Sequence, residues 1–261
     1  MPLDTRLLID GPKGADRTIV LAHGAGAAMD TPFMSFFATG LSDRGIRVVR
    51  FEFPYMAANR STGKAKPPPD RESVLRETWL KVIETLGRDG LVIGGKSMGG
   101  RIASLVADEA GVAGLVCLGY PFHPVGKPDK LRVAHLRTIQ TPTLILQGER
   151  DPFGGRDEVA KYTLSPAVRV EWLNDGDHSF KPRKSSGTTE EQNWKAALHA
   201  IDGFLESLRV YLKTFTLANV IAEIEFWRHA GESCFSKLLR KLKLKVPDQS
   251  ILDKLIPIPD G

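Results

Sequence analysis

The pentapeptide Gly95-Lys96-Ser97-Met98-Gly99 joins a short apolar run to a helical pattern, and few folds place a serine at such a junction. Leu91-Val92-Ile93-Gly94 precedes it, the kind of continuous apolar stretch shown by strands buried on both faces. Met98 to Glu109 follows, with Ile102, Leu105 and Val106 at helical spacing. A chain that turns from strand to helix through one residue forces that residue into unfavourable backbone geometry. Flanking glycines remove the side chains that would collide there. The segment reads as a nucleophile elbow, holding the Ser97 hydroxyl above the sheet edge near the positive end of a helix.

Two rival readings use the same five residues. A serine at a helix start commonly caps it by accepting a backbone N–H. A glycine-rich phosphate loop requires Gly-x-x-x-x-Gly-Lys-Ser/Thr, and here Lys96 precedes the serine without that spacing. What lifts the nucleophile reading is a base, an acid and an anion site in suitable places.

A serine hydroxyl needs an adjacent imidazole to take its proton. His178 sits in Asn174-Asp175-Gly176-Asp177-His178-Ser179-Phe180, directly after the alternating strand pattern Val168 to Leu173. That placement hangs a base over the same sheet edge as Ser97. His199 falls in a helical pattern and His229 in a tail segment, both read as surface positions. His123 and His135 lie in the connection after the next strand, where either would line a pocket, but neither follows a strand directly.

The imidazole must be held in one tautomer, which a carboxylate accepting its other N–H achieves. Thr143 to Gly148 is another buried-strand pattern, and Asp151 lies just past its C-terminal end, where open parallel sheets place their chemistry. Glu149 is the second candidate, and Asp157 reads as a first-turn helix residue. The strand before it, Gly114 to Gly119, offers no carboxylate until Asp129. Asp175 and Asp177 read as turn residues that shape the histidine loop.

Acyl transfer builds negative charge on an oxygen, which preorganised backbone N–H groups stabilise. One donor is the amide of Met98, directly after the serine. The other is expected from His23-Gly24-Ala25-Gly26-Ala27, a small-residue loop after the strand Arg17 to Ala22. The amide of Ala25 is the preferred donor and that of Gly26 the alternative. His23 is expected to pack beneath this loop.

The resulting order Ser97, Asp151, His178 resembles that of the α/β-hydrolase superfamily. More narrowly, the chain looks like the small capless branch related to dienelactone hydrolases. It is also similar to a group of predicted serine hydrolases that includes testis-expressed and chromatin-complex members. The matching stretches are His23 to Ala27, Phe51 to Met56, Gly95 to Arg101, Gly119 to Pro124, Gly148 to Gly154 and Gly176 to Phe180, within roughly residues 5 to 208. Where dienelactone hydrolases resemble this chain they carry a cysteine nucleophile, so Ser97 argues against carrying over their lactone substrate.

Strand patterns near 5–9, 17–22, 46–52, 90–94, 114–119, 143–147 and 168–173 alternate with helix patterns near 31–43, 71–87, 98–109, 155–163 and 189–208. This alternation predicts an α/β fold, a mostly parallel sheet with helices on both faces and no large cap domain. Residues 59–70, with Lys64-Ala65-Lys66-Pro67-Pro68-Pro69, are expected to be irregular, either a stiff loop at the site mouth or a surface linker. The connection from Tyr120 to Thr141 is too short for a separate helical lid, which predicts an open cleft suited to small or protruding esters.

Two cysteines, Cys117 and Cys234, are too few for a disulfide framework, and Cys117 reads as a buried core thiol. The N-terminus lacks a signal-peptide pattern, no run of about 18 apolar residues occurs, and a cytoplasmic setting is expected. The formal net charge is +5, of which the segment 209–261 carries +3 from nine basic and six acidic residues. Residues 1–208 show no basic stripe interleaved with stacking aromatics, so no nucleic-acid partner is expected.

The expected organisation is a hydrolase domain over 1–208 and a C-terminal helical, basic extension over 209–261. The extension carries the stripe Leu217, Val220, Ile221, Ile224 and Trp227 and the basic run Lys237 to Lys245. It is read as an added helix, a loose extension, or a contact with a partner or membrane surface. The functional expectation is a serine hydrolase without cofactor or metal, acting on a small-molecule acyl substrate. Carboxylester or thioester cleavage is preferred over acyl transfer, peptide cleavage or a non-catalytic scaffold. Lys181 and Arg183, close to the base, are either exposed loop charges or a preference for anionic substrates.

Overall fold

Short apolar runs separated by amphipathic helices assemble into a seven-stranded sheet. The structure, a computed structural model, describes residues 5–62 and 68–228, with side chains described through residue 60 and over 68–209. Residues 1–209 form one compact unit and residues 210–261 a second. The strands are β1 (Leu7–Asp10), β2 (Thr18–Ala22), β3 (Arg47–Phe51), β4 (Leu91–Lys96), β5 (Gly114–Leu118), β6 (Thr143–Gly148) and β7 (Val168–Leu173). Their order is β1-β3-β2-β4-β5-β6-β7. Only β1 is antiparallel to its neighbour; all other pairs are parallel.

This order positions the site. From β2 the chain steps outward to β3, then returns across β2 to begin β4. The winding direction therefore reverses between β2 and β4, and the crevice beyond their C-terminal ends is where open α/β sheets bind ligands. The loop starting at His23 and the turn at Ser97 meet at that crevice.

Alternating side chains send half of each strand to either face. On one face Val20, Val49, Ile93, Leu115 and Ile145 pack with α3 (Glu72–Leu86) and α4 (Met98–Ala110) through Trp79, Val82, Ile102 and Val106. On the other, Leu21, Val48, Val92, Val116 and Leu146 pack with α1 (Pro32–Ser42) and α6 (Glu190–Arg228) through Phe37, Leu41, Ile201 and Phe204. Burial of these apolar faces is what holds the layers together. Cys117 is buried in the first of these cores as a free thiol, and burial raises its pKa.

Three helices differ from the expectation. Residues 59–70 are not irregular throughout, because α2 (Pro54–Thr62) runs into them. Pro54 begins that helix, where its missing N–H costs nothing, and the proline run starts only later. The helix expected over 155–163 is a single turn, α5 (Arg156–Val159), after which Lys161 and Tyr162 close tighter bonds to Glu158 and Val159. The helix expected to end at 208 continues to Arg228. Between Tyr120 and Thr141 there is one 3-10 turn, His135–Arg137, and no helical lid.

Candidate active site

Ser97 occupies φ 51°, ψ −113°, a conformation that side chains other than glycine rarely adopt. The neighbours make room for it. A Cβ on Gly95, at φ 146°, would lie 2.1 Å from the Ala22 carbonyl oxygen. A Cβ on Gly99 would lie 2.5 Å from the same oxygen and 2.6 Å from that of His23. The first turn of α4 thus sits directly on the end of β2. The Ser97 amide donates to the Leu118 carbonyl at 2.9 Å, while its side chain makes no helix-capping bond. The hydroxyl is left for another partner.

That partner is His178, whose Nε2 lies 2.9 Å from Ser97 Oγ. Its Nδ1 lies 2.7 Å from Asp151 Oδ2. With a carboxylate oxygen as the acceptor at Nδ1, that nitrogen is assigned the proton and Nε2 accepts from the serine hydroxyl. The structure therefore brings Ser97, Asp151 and His178 into one hydrogen-bonded chain. Burial lowers the His178 pKa, the Asp151 hydrogen bond opposes that, and the charge on Lys96 lowers it further.

The loops carrying acid and base are tied down from outside the chain of three. Asp151 is fully enclosed, accepting from the Phe153 amide at 2.9 Å and from Gln147 Nε2 at 2.9 Å. Gln147 also accepts from the Tyr120 amide at 2.7 Å, linking the ends of β5 and β6. Asp177 Oδ1 accepts from the amides of Ser179 and Lys181, and Asp175 binds the Arg183 guanidinium, so both aspartates shape the histidine loop. Glu149 faces away, accepting from Arg156 and from the Asp175 amide. The Phe153 ring packs against the imidazole at 4.3 Å.

Lys96 and Gln147 are the contributors that sequence reasoning missed. Lys96 is partly buried, its Nζ donating to the His178 carbonyl and lying 5.4 Å from the Phe33 ring centre and 5.8 Å from that of Phe180. Desolvation pushes its pKa down to about 8, against the pull of Asp151 and Asp177. A lysine ending a strand otherwise buried on both faces is the only sequence signal that pointed to it.

The hydroxyl faces a cleft of about 350 Å³ lined by Ala25, Ser97, Met98, Pro69, Asp70 and Phe153, among others. Pro69 and Asp70 thus contribute to the site mouth. Among the described residues the amides of Ala25 and Met98 donate to no protein acceptor, which leaves two N–H groups beside the hydroxyl. The Ala25 carbonyl accepts from Tyr55 Oη at 2.9 Å, holding the Ala25–Gly26 peptide. Beneath the loop, buried His23 accepts from the Phe53 amide through Nε2 and donates to the Gly24 carbonyl through Nδ1.

The remaining histidines stand outside this arrangement. His123 contacts Glu158, His135 contacts Ser104, and His199 is exposed on α6. Arg183 is engaged by Asp175, and neither it nor Lys181 lines the cleft. His229, Cys234 and the basic run of the extension lie outside the described residues.

The alpha/beta hydrolase domain family matches residues 15–206, about three-quarters of the chain. The chain belongs to the α/β-hydrolase family. Among curated relatives of this α/β hydrolase, a Rattus norvegicus protein named "Putative protein-lysine deacylase ABHD14B" is 30% identical over 139 residues. That match covers 52% of this chain and spans 63% of the relative's length. Among solved structures, the Xanthomonas campestris serine hydrolase XC6422, described as lacking a lid, matches with a TM-score of 0.55 at 19% identity, covering 77% of this chain and 89% of that one. Dienelactone hydrolase from Anabaena variabilis matches with a TM-score of 0.55 at 20% identity, covering 75% and 89%. These likenesses show the fold. The family match places this chain among hydrolases of the α/β type. No helix of the described residues is long and apolar enough to cross a membrane.

Proposed function

We propose that this hydrolase cleaves small carboxylic esters or thioesters through an acyl-serine intermediate. The observation that carries the reading is the continuous chain Asp151–His178–Ser97, at 2.7 and 2.9 Å, opening onto an unlidded cleft. His178 Nε2 takes the Ser97 proton as Oγ attacks the carbonyl carbon. Asp151 holds the tautomer and stabilises the imidazolium. The amides of Met98 and Ala25 receive the oxyanion. His178 then protonates the leaving group, and a water activated by the same imidazole releases the acid and restores Ser97. No cofactor is needed at any step, because the imidazole supplies both proton transfers.

A second reading places an amide in the cleft. The rat relative's name concerns acylated lysine, and a cleft without a lid suits a side chain protruding from a protein surface. The same groups would cleave that bond, with His178 protonating a departing amine.

The test is a panel of p-nitrophenyl acetate, butyrate and palmitate beside an acetyl-lysine peptide. Short esters are expected to turn over, and Ser97→Ala to lose about 10⁶-fold in kcat. Preference for palmitate would overturn the small-ester reading. Faster peptide deacylation would favour the amide. No turnover by folded protein would favour a scaffold.

A further inference from the structure

Arg132 reaches the cleft from the connection after β5 with its backbone fixed on both sides. Its amide donates to the Phe122 carbonyl at 2.7 Å, and its carbonyl accepts from Tyr120 Oη at 3.0 Å. Arg132 lines the same cleft as Ser97. Among the described residues it has neither a hydrogen-bond acceptor nor an ion-pair partner. Arg101, also in the cleft, is already engaged, with Nη1 3.0 Å from Glu72 Oε2. Asp70, the other carboxylate of the lining, accepts from the Tyr55 amide at the start of α2, at 2.9 Å.

The lining thus holds two guanidiniums and two carboxylates, and Arg132 is the one of the four side chains that has no hydrogen-bond or ion-pair partner among the described residues. Burial and repulsion from Arg101 both work against the Arg132 charge, with Tyr120 and Glu72 only offsetting them. An arginine nonetheless keeps its proton at neutral pH, so this unpartnered guanidinium is satisfied by an anion rather than by titration. A guanidinium held partly out of water beside a nucleophile is a strong recogniser of carboxylates and phosphates.

Building on the acyl-serine reading, we infer that the substrate carries an anionic oxyacid group, a carboxylate or phosphate, that pairs with Arg132 while its carbonyl lies at Ser97. Arg132 then sets specificity and takes no part in the bond changes.

The test uses the full chain and three p-nitrophenyl or aryl esters: neutral butyrate, a hemi-adipate with its carboxylate on the acyl side, and 4-acetoxybenzoate with its carboxylate on the leaving side. The expected result is a kcat/KM at least about tenfold higher for one charged ester than for butyrate, as a charge-assisted contact supplies. Which of the two is favoured tells the side of the scissile bond. Arg132→Gln is expected to bring that ratio near one, and Arg132→Lys to restore part of it. Calorimetric binding of the same esters to Ser97→Ala reads the discrimination without turnover. Failure of the acyl-serine reading would thus appear as absent hydrolysis with anion binding intact. Equal kcat/KM and equal binding of charged and neutral esters, or a charged preference that survives Arg132→Gln, would overturn the inference.

Discussion

Lys96 donates from its ammonium to the carbonyl oxygen of His178, so the residue before the serine anchors the loop that carries the base. The same charge lowers the His178 pKa. Elbow and base loop, far apart in sequence, are one electrostatic unit. Lys96→Met is expected to cut kcat by leaving the His178 loop untied. It should also move the acidic limb of kcat/KM to higher pH, because His178 loses a repelling cation. A pH–rate profile of both proteins checks this, and an acidic limb that stays put contradicts it.

His178 must be neutral to accept a proton, and its pKa is lowered chiefly by burial. Activity of the native chain should therefore persist below the ordinary histidine value near 6.5 and fall as pH drops through the lowered one. Stability follows the same sign. His23, His135 and His178 all have lowered values, so between those values and about 6.5 the unfolded chain binds more protons than the folded one. Denaturation midpoints should fall on acidification through that window. A midpoint that is flat or rises there would contradict the burial of these imidazoles.

Asp151 is held by Gln147, which simultaneously joins the ends of β5 and β6. Asp151→Asn should lower kcat by about 10⁴-fold while leaving stability near native, since the geometry is retained and the tautomer lost. Gln147→Leu should do the reverse in weight. It leaves the buried Tyr120 amide and an Asp151 lone pair without a partner, at roughly 1–3 kcal/mol for each buried group. Urea denaturation beside steady-state kinetics separates the two outcomes.

Gly99 presses on the end of β2, and the atoms a new Cβ would meet are backbone oxygens that cannot swing aside. Gly99→Ala should destabilise by about 1–3 kcal/mol or more and disturb the amide of Met98, reducing kcat as well. Thermal denaturation and ester turnover measured together test the coupling.

Much of this architecture is legible because its signals are local. Apolar strand runs, the glycine-flanked serine and the histidine after β7 each declare themselves within a few residues, and parallel topology brings strand ends to one edge. Lys96, Gln147 and Arg132 are different. Each is a single polar residue whose meaning depends on partners from elsewhere: Phe33 and Phe180 around Lys96, Tyr120 and Asp151 around Gln147, Arg101 and Glu72 beside Arg132. The start of α2 was hidden for another reason, since Pro54 looks like a breaker where it serves as a first helical residue.

The central claim is that Ser97 is an activated nucleophile. It is tested most directly by incubating the intact chain with a fluorophosphonate probe and weighing the protein by mass spectrometry. The account predicts one adduct, located on Ser97, absent in Ser97→Ala and strongly slowed in His178→Ala. A folded native chain that gains no mass, or an adduct that persists in Ser97→Ala, would contradict it.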